Sequence, residues 1–567
     1  MPEKPHGNMS DTDYIQSLWS GIETAEAKGN WQAASDAYDA LAPLVERDST
    51  FIVRHAIAVL HAGDAPRAAT MTRRAVRMNP NDADILLQLG KIYFAQKRHA
   101  EAEKTFRKLL ELAPDHVEGL RRLAQAIQVE ESGRPEAEDL LNRAVKLDPD
   151  NIAVWQQLGA IYGNDSERYD DAEKAFQHAL KLDPNLPSAY HNLGLLRRFR
   201  ADIEEAEKLL RKACGLSPGD SGFAFSLGSC LMYKEEIEES LEWFQKSATL
   251  DDSHIAPKVY TSFALFLLGR MRDGWVEYEK RLKLKELQDL NYSRPRWDGS
   301  PLEGKTVLLL REQGYGDNLQ FVRYAEMVAE RGGEVILLAQ KPLLRLFQSV
   351  RGTSVVLPAT PEPKHFHRYC PLMSLPFVFG TDETSVPADV PYLTADPADV
   401  ETWKQRLAPY LGLKVGVAWR GNPGHMNDRF RSSSLSEISR LFAIPGVTFF
   451  SMIMDRPEFE ADLPGDVIDI TDGFGDFADT AAAMENLDLI ITVDTSISHL
   501  AGALGRPVWT MLPRGPDFRW GLKGTDTPWY PTMTLYRQKV LGIWSDVYDQ
   551  IEKDLREMAN DNVRDKT

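Results

Sequence analysis

Residues 151–184 read NIAVWQQLGAIYGNDSERYDDAEKAFQHALKLDP, and variants of this stretch recur on both sides of it along the first half of the chain. Spacings of 34, 35, 35 and 34 residues separate five prolines that mark the repetition: Pro80, Pro114, Pro149, Pro184 and Pro218. A period of about 34 residues is the length of two antiparallel helices closed by a turn. Proline suits the end of each unit because it halts one helix and is tolerated in the first turn of the next. The pattern therefore predicts an array of helical repeats.

Two further marks recur in step with these prolines. The first helix of a unit carries a Leu-Gly pair, whose small residue lets the partner helix approach, and the second carries a small and a large residue four apart on one face. The Leu-Gly pairs are Leu89-Gly90, Leu158-Gly159, Leu193-Gly194 and Leu227-Gly228. The second-helix pairs are Ala102 with Phe106, Ala172 with Phe176, Ala206 with Leu210 and Ser240 with Phe244. These marks are typical of tetratricopeptide repeats, which stack into an α superhelix.

The repeat array is expected to cover residues 15–290, with its clearest units at 82–253. The units before residue 82 are degenerate, as terminal repeats often are because one of their faces meets water. A last helix pair over 255–286 closes the array. We expect its charged stretch, residues 277–286, to be a solvated cap, and residues 1–14 to be disordered.

Composition narrows the class of protein. A chain of 567 residues is too long for one core, so two or more domains are expected. The formal net charge of −18 argues against a nucleic-acid partner or an anionic membrane surface. Three cysteines without paired or metal-ligand spacing fit a reducing compartment. The N-terminus lacks a signal-peptide pattern and no run of 18 apolar residues occurs, so we expect a cytoplasmic protein without a membrane span.

After residue 291 the helical period stops, and short apolar runs alternate with amphipathic helices. This alternation predicts α/β structure with parallel sheets. The predicted strands are 306–310, 334–339, 415–419, 447–452, 489–493 and 508–512. We expect two Rossmann-like units, at residues 300–395 and 412–560, joined by a helix within residues 396–411.

The loop after the first predicted strand contains Gly314, Gly316 and Asp317 just before a helix. Ligands of open parallel sheets bind at the carboxyl ends of strands, which makes Asp317 a candidate functional residue. The alternative is that Asp317 only caps the helix. A dinucleotide-binding loop is not supported, because position 319 is Leu where the third glycine of that pattern would stand.

The loop at residues 420–432, after the strand at 415–419, contains Arg420, Arg429 and Arg431 together with Asn422. A guanidinium group can donate two parallel hydrogen bonds to one phosphate group, so this loop suits a phosphate or diphosphate. A solvated basic loop is the alternative.

A third loop follows the strand at 489–493, where Asp494, Thr495 and Ser496 open a helix rich in small residues. The backbone N–H groups at such a helix start are suited to an anion. His499 lies on the same helix, and a single histidine there is more typical of a packed core than of a catalyst.

With these loops, the second half resembles the heptosyltransferase-like enzymes of glycosyltransferase family 9, which are GT-B proteins with two Rossmann-like domains facing a cleft. Gly316-Asp317 is similar to that family's glycine-aspartate motif, and residues 494–500 with 503–507 are similar to its nucleotide-sugar motif. Over nearly its whole length the chain resembles bacterial proteins that fuse tetratricopeptide repeats to such a domain. The marks of that subfamily are Trp297-Asp298-Gly299, Glu312-Gln313-Gly314, Asp428-Arg429, Arg431-Ser432, Asp517, Arg519-Trp520, Trp529-Tyr530-Pro531 and Arg537-Gln538.

The chain also departs from the family. Its transferase half is short for a GT-B enzyme, and the basic residue expected in the cleft is an arginine, Arg429 or Arg431, where heptosyltransferases commonly have lysine. Heptose is therefore not inferred as the donor sugar. Protein O-linked N-acetylglucosamine transferases share the architecture of repeats plus GT-B, but these loops do not match their signatures.

The resemblance implies an inverting, metal-independent glycosyltransferase without a cofactor, in which a nucleotide sugar is the cosubstrate. Asp317 would be the catalytic base. The donor would be bound by Gly314, Gly316, Arg420, Asn422, Arg429, Arg431, Asp494, Thr495, Ser496 and His499. The acceptor would be a macromolecule, a protein held in the repeat groove, with flagellin as one candidate.

Two alternatives stay open. The chain could be a non-catalytic interaction protein whose transferase half is degenerate, since an aspartate that caps a helix would survive loss of activity. It could also glycosylate a lipid-linked glycan, although no basic amphipathic helix supports that reading.

Overall fold

The computed structural model describes residues 11–45, 48–284, 287, 292–312, 314–358, 365–425, 427–454, 456 and 463–564. The chain divides into two units, Met1–Leu196 and Arg197–Thr567. Residues 1–10 of the predicted disordered terminus lie outside the described residues. Residues 11–14 are helical, because the first helix begins at Asp11.

The first half consists of paired antiparallel helices. In the first unit they are α1 (Asp11–Ala27), α2 (Trp31–Leu41), α3 (Ser49–His61), α4 (Ala65–Met78), α5 (Ala83–Ala95), α6 (His99–Leu112), α7 (Val117–Ile127), α8 (Arg134–Leu147), α9 (Ile152–Tyr162) and α10 (Tyr169–Leu182). Helix α11 (Pro187–Phe199) spans the boundary between the units. The second unit continues with α12 (Ile203–Leu216), α13 (Ser221–Lys234), α14 (Ile237–Leu250), α15 (Ile255–Leu267) and α16 (Met271–Tyr278).

The predicted small residues allow the helix pairs to pack closely. A methyl group on Gly90 would lie 2.3 Å from the Phe106 ring, and one on Gly159 would lie 2.6 Å from Phe176. Carbon atoms at these distances overlap, so alanine would force the two helices apart. Short polar residues begin the first helices: the Asp82 carboxylate accepts from the backbone N–H of Ile85 at 3.1 Å. These contacts confirm the predicted tetratricopeptide-repeat array.

The rest of the second unit contains two parallel sheets. The first has strand order β3-β2-β1-β4 and the second β10-β9-β8-β5-β6-β7. The strands are β1 (Thr306–Leu310), β2 (Glu334–Ala339), β3 (Val355–Pro358), β4 (Arg368–Pro371), β5 (Leu413–Ala418), β6 (Val447–Ser451), β7 (Val467–Asp469), β8 (Leu489–Val493), β9 (Val508–Leu512) and β10 (Met533–Arg537). The prediction of parallel α/β sheets is confirmed.

Helices connect these strands on both faces. They are α17 (Tyr315–Phe321), α18 (Ala325–Ala329), α19 (Leu344–Phe347), α20 (Leu375–Phe379), α21 (Pro397–Leu407), α22 (Asp428–Arg431), α23 (Leu435–Phe442), α24 (Phe477–Met484), α25 (Ser496–Ala503) and α26 (Ser545–Arg564). Strand order reverses beside β1 in the first sheet and between β5 and β8 in the second. Connections leave in opposite directions at such points and open a crevice at the carboxyl ends of the strands. In the described part of the chain, no helix is long and apolar enough to cross a membrane.

The last helix pair shares a core with the first sheet. Trp275 and Tyr278 of α16 are buried in one apolar cluster with Val307 and Leu309 of β1. Three residues later, the Arg281 side chain is fully buried and pairs with the fully buried Glu312 at 2.7 Å. The prediction that residues 277–286 form a solvated cap is therefore wrong at the centre of that stretch. Residues 285 and 286 lie outside the described residues.

Candidate functional site

A cavity of about 1130 Å³ lies at the carboxyl ends of both sheets. Its lining comes from the loops after β1, β2, β5, β6, β8 and β9, from the start of α24, and from helices α11, α13 and α15 of the repeats. Every lining residue belongs to the unit Arg197–Thr567. Most of the predicted site residues line it: Gly314, Gly316, Asp317, Arg420, Asn422, Arg431, Asp494, Thr495, Ser496 and His499. The topology therefore brings together three loops that are distant in the sequence.

Asp317 is held at the cavity by two contacts. One carboxylate oxygen accepts a hydrogen bond from the backbone N–H of Gly314 at 3.1 Å. The other is ion-paired with Arg519. Gly314 is the N-cap of α17 and Asp317 is its third helical residue, so Asp317 helps to cap the helix without being the N-cap itself. Burial raises the pKa of Asp317 above its ordinary value, and the Arg519 guanidinium opposes that increase.

Arg519 is a site residue that was not predicted from the loops that follow strands. Its guanidinium also donates to Asp517 at 2.8 Å and to the side-chain oxygen of Gln320 at 2.6 Å. The Arg519 side chain is 9% exposed. The only signal in the sequence was that Asp517 and Arg519-Trp520 are among the residues by which the chain resembles proteins that fuse repeats to a transferase domain.

Asp494 follows β8 at the switch point of the second sheet and faces the same cavity. Burial, together with repulsion from the Asp517 carboxylate, raises the pKa of Asp494 to about 6. Thr495 is the N-cap of α25, and its hydroxyl accepts from the backbone N–H of Ile497 at 3.3 Å. The start of α25 thus presents backbone donors beside a carboxyl group that is easily protonated.

The arginines of the second loop occupy different places. Arg420 and Arg431 line the cavity, and a terminal nitrogen of Arg431 pairs with Asp428 at 3.0 Å. The Nε of Arg431 is buried and has no hydrogen-bond partner in the described residues. Arg429 is not among the described lining residues, and its guanidinium lies over the Phe199 ring at 4.4 Å. Of the two arginines, Arg429 and Arg431, that were predicted to bind a diphosphate, Arg431 is the one among the described lining residues.

His499 is a packed residue at the junction of the two sheets. Its Nδ1 lies 2.9 Å from the Tyr530 hydroxyl, and its ring stacks on Trp520 with centroids 5.3 Å apart. Burial lowers the pKa of His499 well below its ordinary value, so the ring stays neutral at physiological pH. A methyl group on Gly316 would lie 2.8 Å from His499, and this glycine therefore lets α17 approach α25 closely.

Five aromatic side chains of the repeats line the cavity, and we call them the repeat wall: Phe199, Phe225, Tyr233, Tyr260 and Phe263. The Tyr233 hydroxyl donates to the Asn427 side chain at 2.8 Å and so links the wall to the arginine loop. These residues were predicted to belong to the scaffold alone, because the repeat pattern does not encode which helix faces another domain.

Asp494 provides a test of the site's electrostatics that needs no substrate. Because its folded-state pKa is raised, the unfolded chain ionises first, and a stability deficit grows as pH rises from about 4 to about 6. Asp494→Asn should remove this deficit and stabilise the second unit by about 3 kcal/mol at pH 7.5, with little effect near pH 4. Thermal unfolding at both pH values measures this. Asp472→Asn, at a side chain 76% exposed, is the control. Equal effects at both pH values would contradict the prediction.

A family model described as the cilia and flagella-associated protein 70 C-terminal domain matches residues 16–258. Protein FlbA of Caulobacter vibrioides is 26% identical over 327 residues, which cover 52% of this chain and 54% of FlbA. The chain thus spans about half the length of this relative.

Among solved structures, a thermophilic TPR protein from Thermus thermophilus is similar at 22% identity and a TM-score of 0.30, covering 32% of this chain and 99% of its own. The pilF protein of Pseudomonas aeruginosa is similar at 21% identity and a TM-score of 0.32, covering 37% of this chain and 96% of its own. The helix pairs and the family model together define a tetratricopeptide-repeat protein, a class of scaffold that binds other proteins.

Proposed function

We propose that the chain is an inverting glycosyltransferase that moves a sugar from a nucleotide-sugar donor to a hydroxyl group of a protein recruited by the repeats. The observation that carries this proposal is the meeting of Asp317, Arg431 and the start of α25 in one cavity. A carboxylate base, a cation and backbone donors are the groups that such a transfer needs.

The proposed step is a single displacement. Asp317 accepts the proton of the acceptor hydroxyl while that oxygen forms a bond to the anomeric carbon. The bond from the anomeric carbon to the donor phosphate oxygen breaks, and its electron pair leaves with the phosphate. Arg431 and the backbone N–H of Ser496 at the start of α25 then stabilise the departing charge, each well-placed donor being worth roughly 10²- to 10³-fold.

The cavity's composition supports a protein acceptor. Aromatic residues make up the repeat wall, and acidic and basic residues at the strand ends line the same cavity. A wall of this kind suits the side chains of a peptide next to its reacting hydroxyl group. The upstream repeats would recruit the acceptor and raise its concentration near the cavity. Secreted filament subunits such as flagellin are a reasonable first acceptor to try.

A second function, a non-catalytic interaction protein, is favoured by one observation. Both contacts of Asp317, to the Gly314 N–H and to Arg519, are structural roles that would persist without activity. Turnover of a donor distinguishes the two proposals, because an adaptor would bind partners and leave every nucleotide sugar intact.

The test is incubation of the whole protein with a panel of nucleotide sugars, scored for donor hydrolysis and for nucleoside diphosphate binding by calorimetry. Arg431→Met should weaken binding at least about tenfold, because one charge-assisted contact to the diphosphate is lost. Arg440→Met, at an exposed arginine paired with Asp549 and Glu552, is the matched control. Intact binding in Arg431→Met would reject the donor site, and absence of turnover with the whole panel would favour the adaptor.

A further inference from the structure

The run Asp517-Phe518-Arg519-Trp520 contacts three parts of the second unit at once. Phe518 packs against the repeats, Arg519 pairs with Asp317 on α17, and Trp520 stacks on His499 on α25. Phe518 to Trp520 form one 3-10 turn, so these side chains leave a short and rigid segment in different directions. We call this run the connecting turn.

Phe518 is enclosed by aromatic rings of the last helix pair. Its ring stacks on Phe263 with centroids 5.2 Å apart and on Phe266 at 4.7 Å. Trp275 and Tyr278 of α16 complete the cluster at 6.3 and 6.1 Å. Since packed aromatic pairs of this kind are held by both burial and ring geometry, the position of Phe518 is set by the repeats.

Arg519 is held on the other side by α17. Its guanidinium reaches Asp317 and Gln320, which are three residues apart and therefore lie on one face of that helix. Asp517 supplies a second carboxylate at 2.8 Å. The guanidinium has two acidic partners and a carbonyl acceptor, so its orientation is fixed from three sides.

We propose that Arg519 is a positioning residue that orients Asp317 toward the cavity, and that the Phe518 cluster makes this orientation depend on the last repeat. Its importance for catalysis rests on the proposed transferase function. The last helix pair is then part of the reaction site and not only of the scaffold.

Several charged or titratable groups face Asp317. Besides Arg519 and Asp517, they are Arg281 and Tyr278 from the last helix pair and His425 from the loop after β5. His499 of α25 packs against the neighbouring Gly316. Of these, Arg519 makes the direct ion pair. Burial and the Asp517 carboxylate both raise the pKa of Asp317, and the Arg519 charge opposes them. If that charge is lost, the pKa of Asp317 should therefore rise.

The test measures Asp317 directly. Protein is treated with a water-soluble carbodiimide and an amine across a pH series, and mass spectrometry follows modification of the Asp317 peptide. In Arg519→Gln the midpoint for modification should lie at least about one pH unit above that of the unaltered protein. Arg519→Lys keeps the positive charge, so its midpoint should lie close to that of the unaltered protein.

Phe518→Ala should raise the same midpoint, because Arg519 loses its anchor. Phe244→Ala is the matched control, since this buried ring packs against Gly228 inside the repeats and is not among the rings around Phe518. Circular dichroism confirms that each variant is folded. An unchanged midpoint in Arg519→Gln would overturn the positioning role. An equal shift in Phe244→Ala and Phe518→Ala would overturn the dependence on the last repeat.

The two proposals fail in different ways. If donor hydrolysis is observed, the acidic side of its pH–rate profile should move to higher pH in Arg519→Gln, by the same amount as the labelling midpoint. A pH–rate profile that does not move would contradict the role in catalysis. If no donor is turned over, the transferase proposal fails, and the labelling result alone decides whether Arg519 and Phe518 position Asp317.

Discussion

Arg281→Met is expected to destabilise the second unit by about 3–5 kcal/mol, because it leaves the Glu312 carboxylate buried without its partner. The pair is bidentate: Nε of Arg281 donates to one Glu312 oxygen at 2.9 Å and a terminal nitrogen donates to the other at 2.7 Å. Urea unfolding followed by tryptophan fluorescence measures the loss.

Two further variants make this prediction specific. Arg281→Met combined with Glu312→Gln should recover part of the lost stability, since it removes the unpaired charge and keeps an acceptor for the backbone N–H of Met373. Arg272→Met removes a surface arginine, 71% exposed and paired with Asp382, and should cost less than about 1 kcal/mol. If Arg281→Met costs no more than Arg272→Met, the last helix pair is not an integral part of this core.

Asp317→Asn is expected to leave folding and nucleoside diphosphate binding nearly intact while lowering transfer at least about 10²-fold. The amide oxygen of asparagine can still accept from the Gly314 N–H, and Arg519 keeps Asp517 as a partner. Only the proton acceptor is lost. Steady-state rates with whichever donor the panel identifies, together with calorimetry, measure the two effects separately.

The chain offers a matched control for Asp317. Asp479 also accepts from backbone N–H groups at the start of its helix, at 2.9 Å from Gly475, and it also pairs with an arginine, Arg345. It is not among the described residues that line the cavity. Asp479→Asn should therefore leave the transfer rate unchanged. Equal rates in Asp317→Asn and the unaltered protein would show that Asp317 only caps its helix.

The repeats could be predicted from sequence because their packing is local. Gly90 and Phe106 belong to consecutive helices, so one spacing rule contains both partners of the contact. Strands β1, β2, β5, β6, β8 and β9 were predicted for a similar reason, since five or six mostly apolar residues in a row form a recognisable run. The short strands β3 and β4, of four residues each, and β7, of three, were missed because a run of that length does not stand out from a loop. Strand β10, of five residues, was also missed, because Thr534 and Arg537 interrupt its apolar run.

The candidate site was predicted only in part. Rules about the ends of strands selected Asp317, Arg431 and Asp494, which the topology places in one cavity. Arg519 also lies in a loop after a strand, β9, but nothing in that loop marks it, since its partner Asp317 lies about 200 residues away in the chain. The burial of Arg281 was missed for the same reason. Its charged neighbours resemble a solvated helix, and its partner Glu312 belongs to another element.

The boundary between the two units, inside α11, differs from the place near residue 291 where the composition of the chain changes. Gene rearrangements that add or delete whole repeats before Arg197 leave every residue of the cavity in place, because the cavity lining begins at Arg198. Rearrangements that join a foreign repeat array at residue 291 instead discard Trp275, Tyr278 and Arg281. The repeats before Arg197 can therefore be exchanged without changing the cavity lining, whereas the last repeats contribute side chains to that lining and to the core of the first sheet.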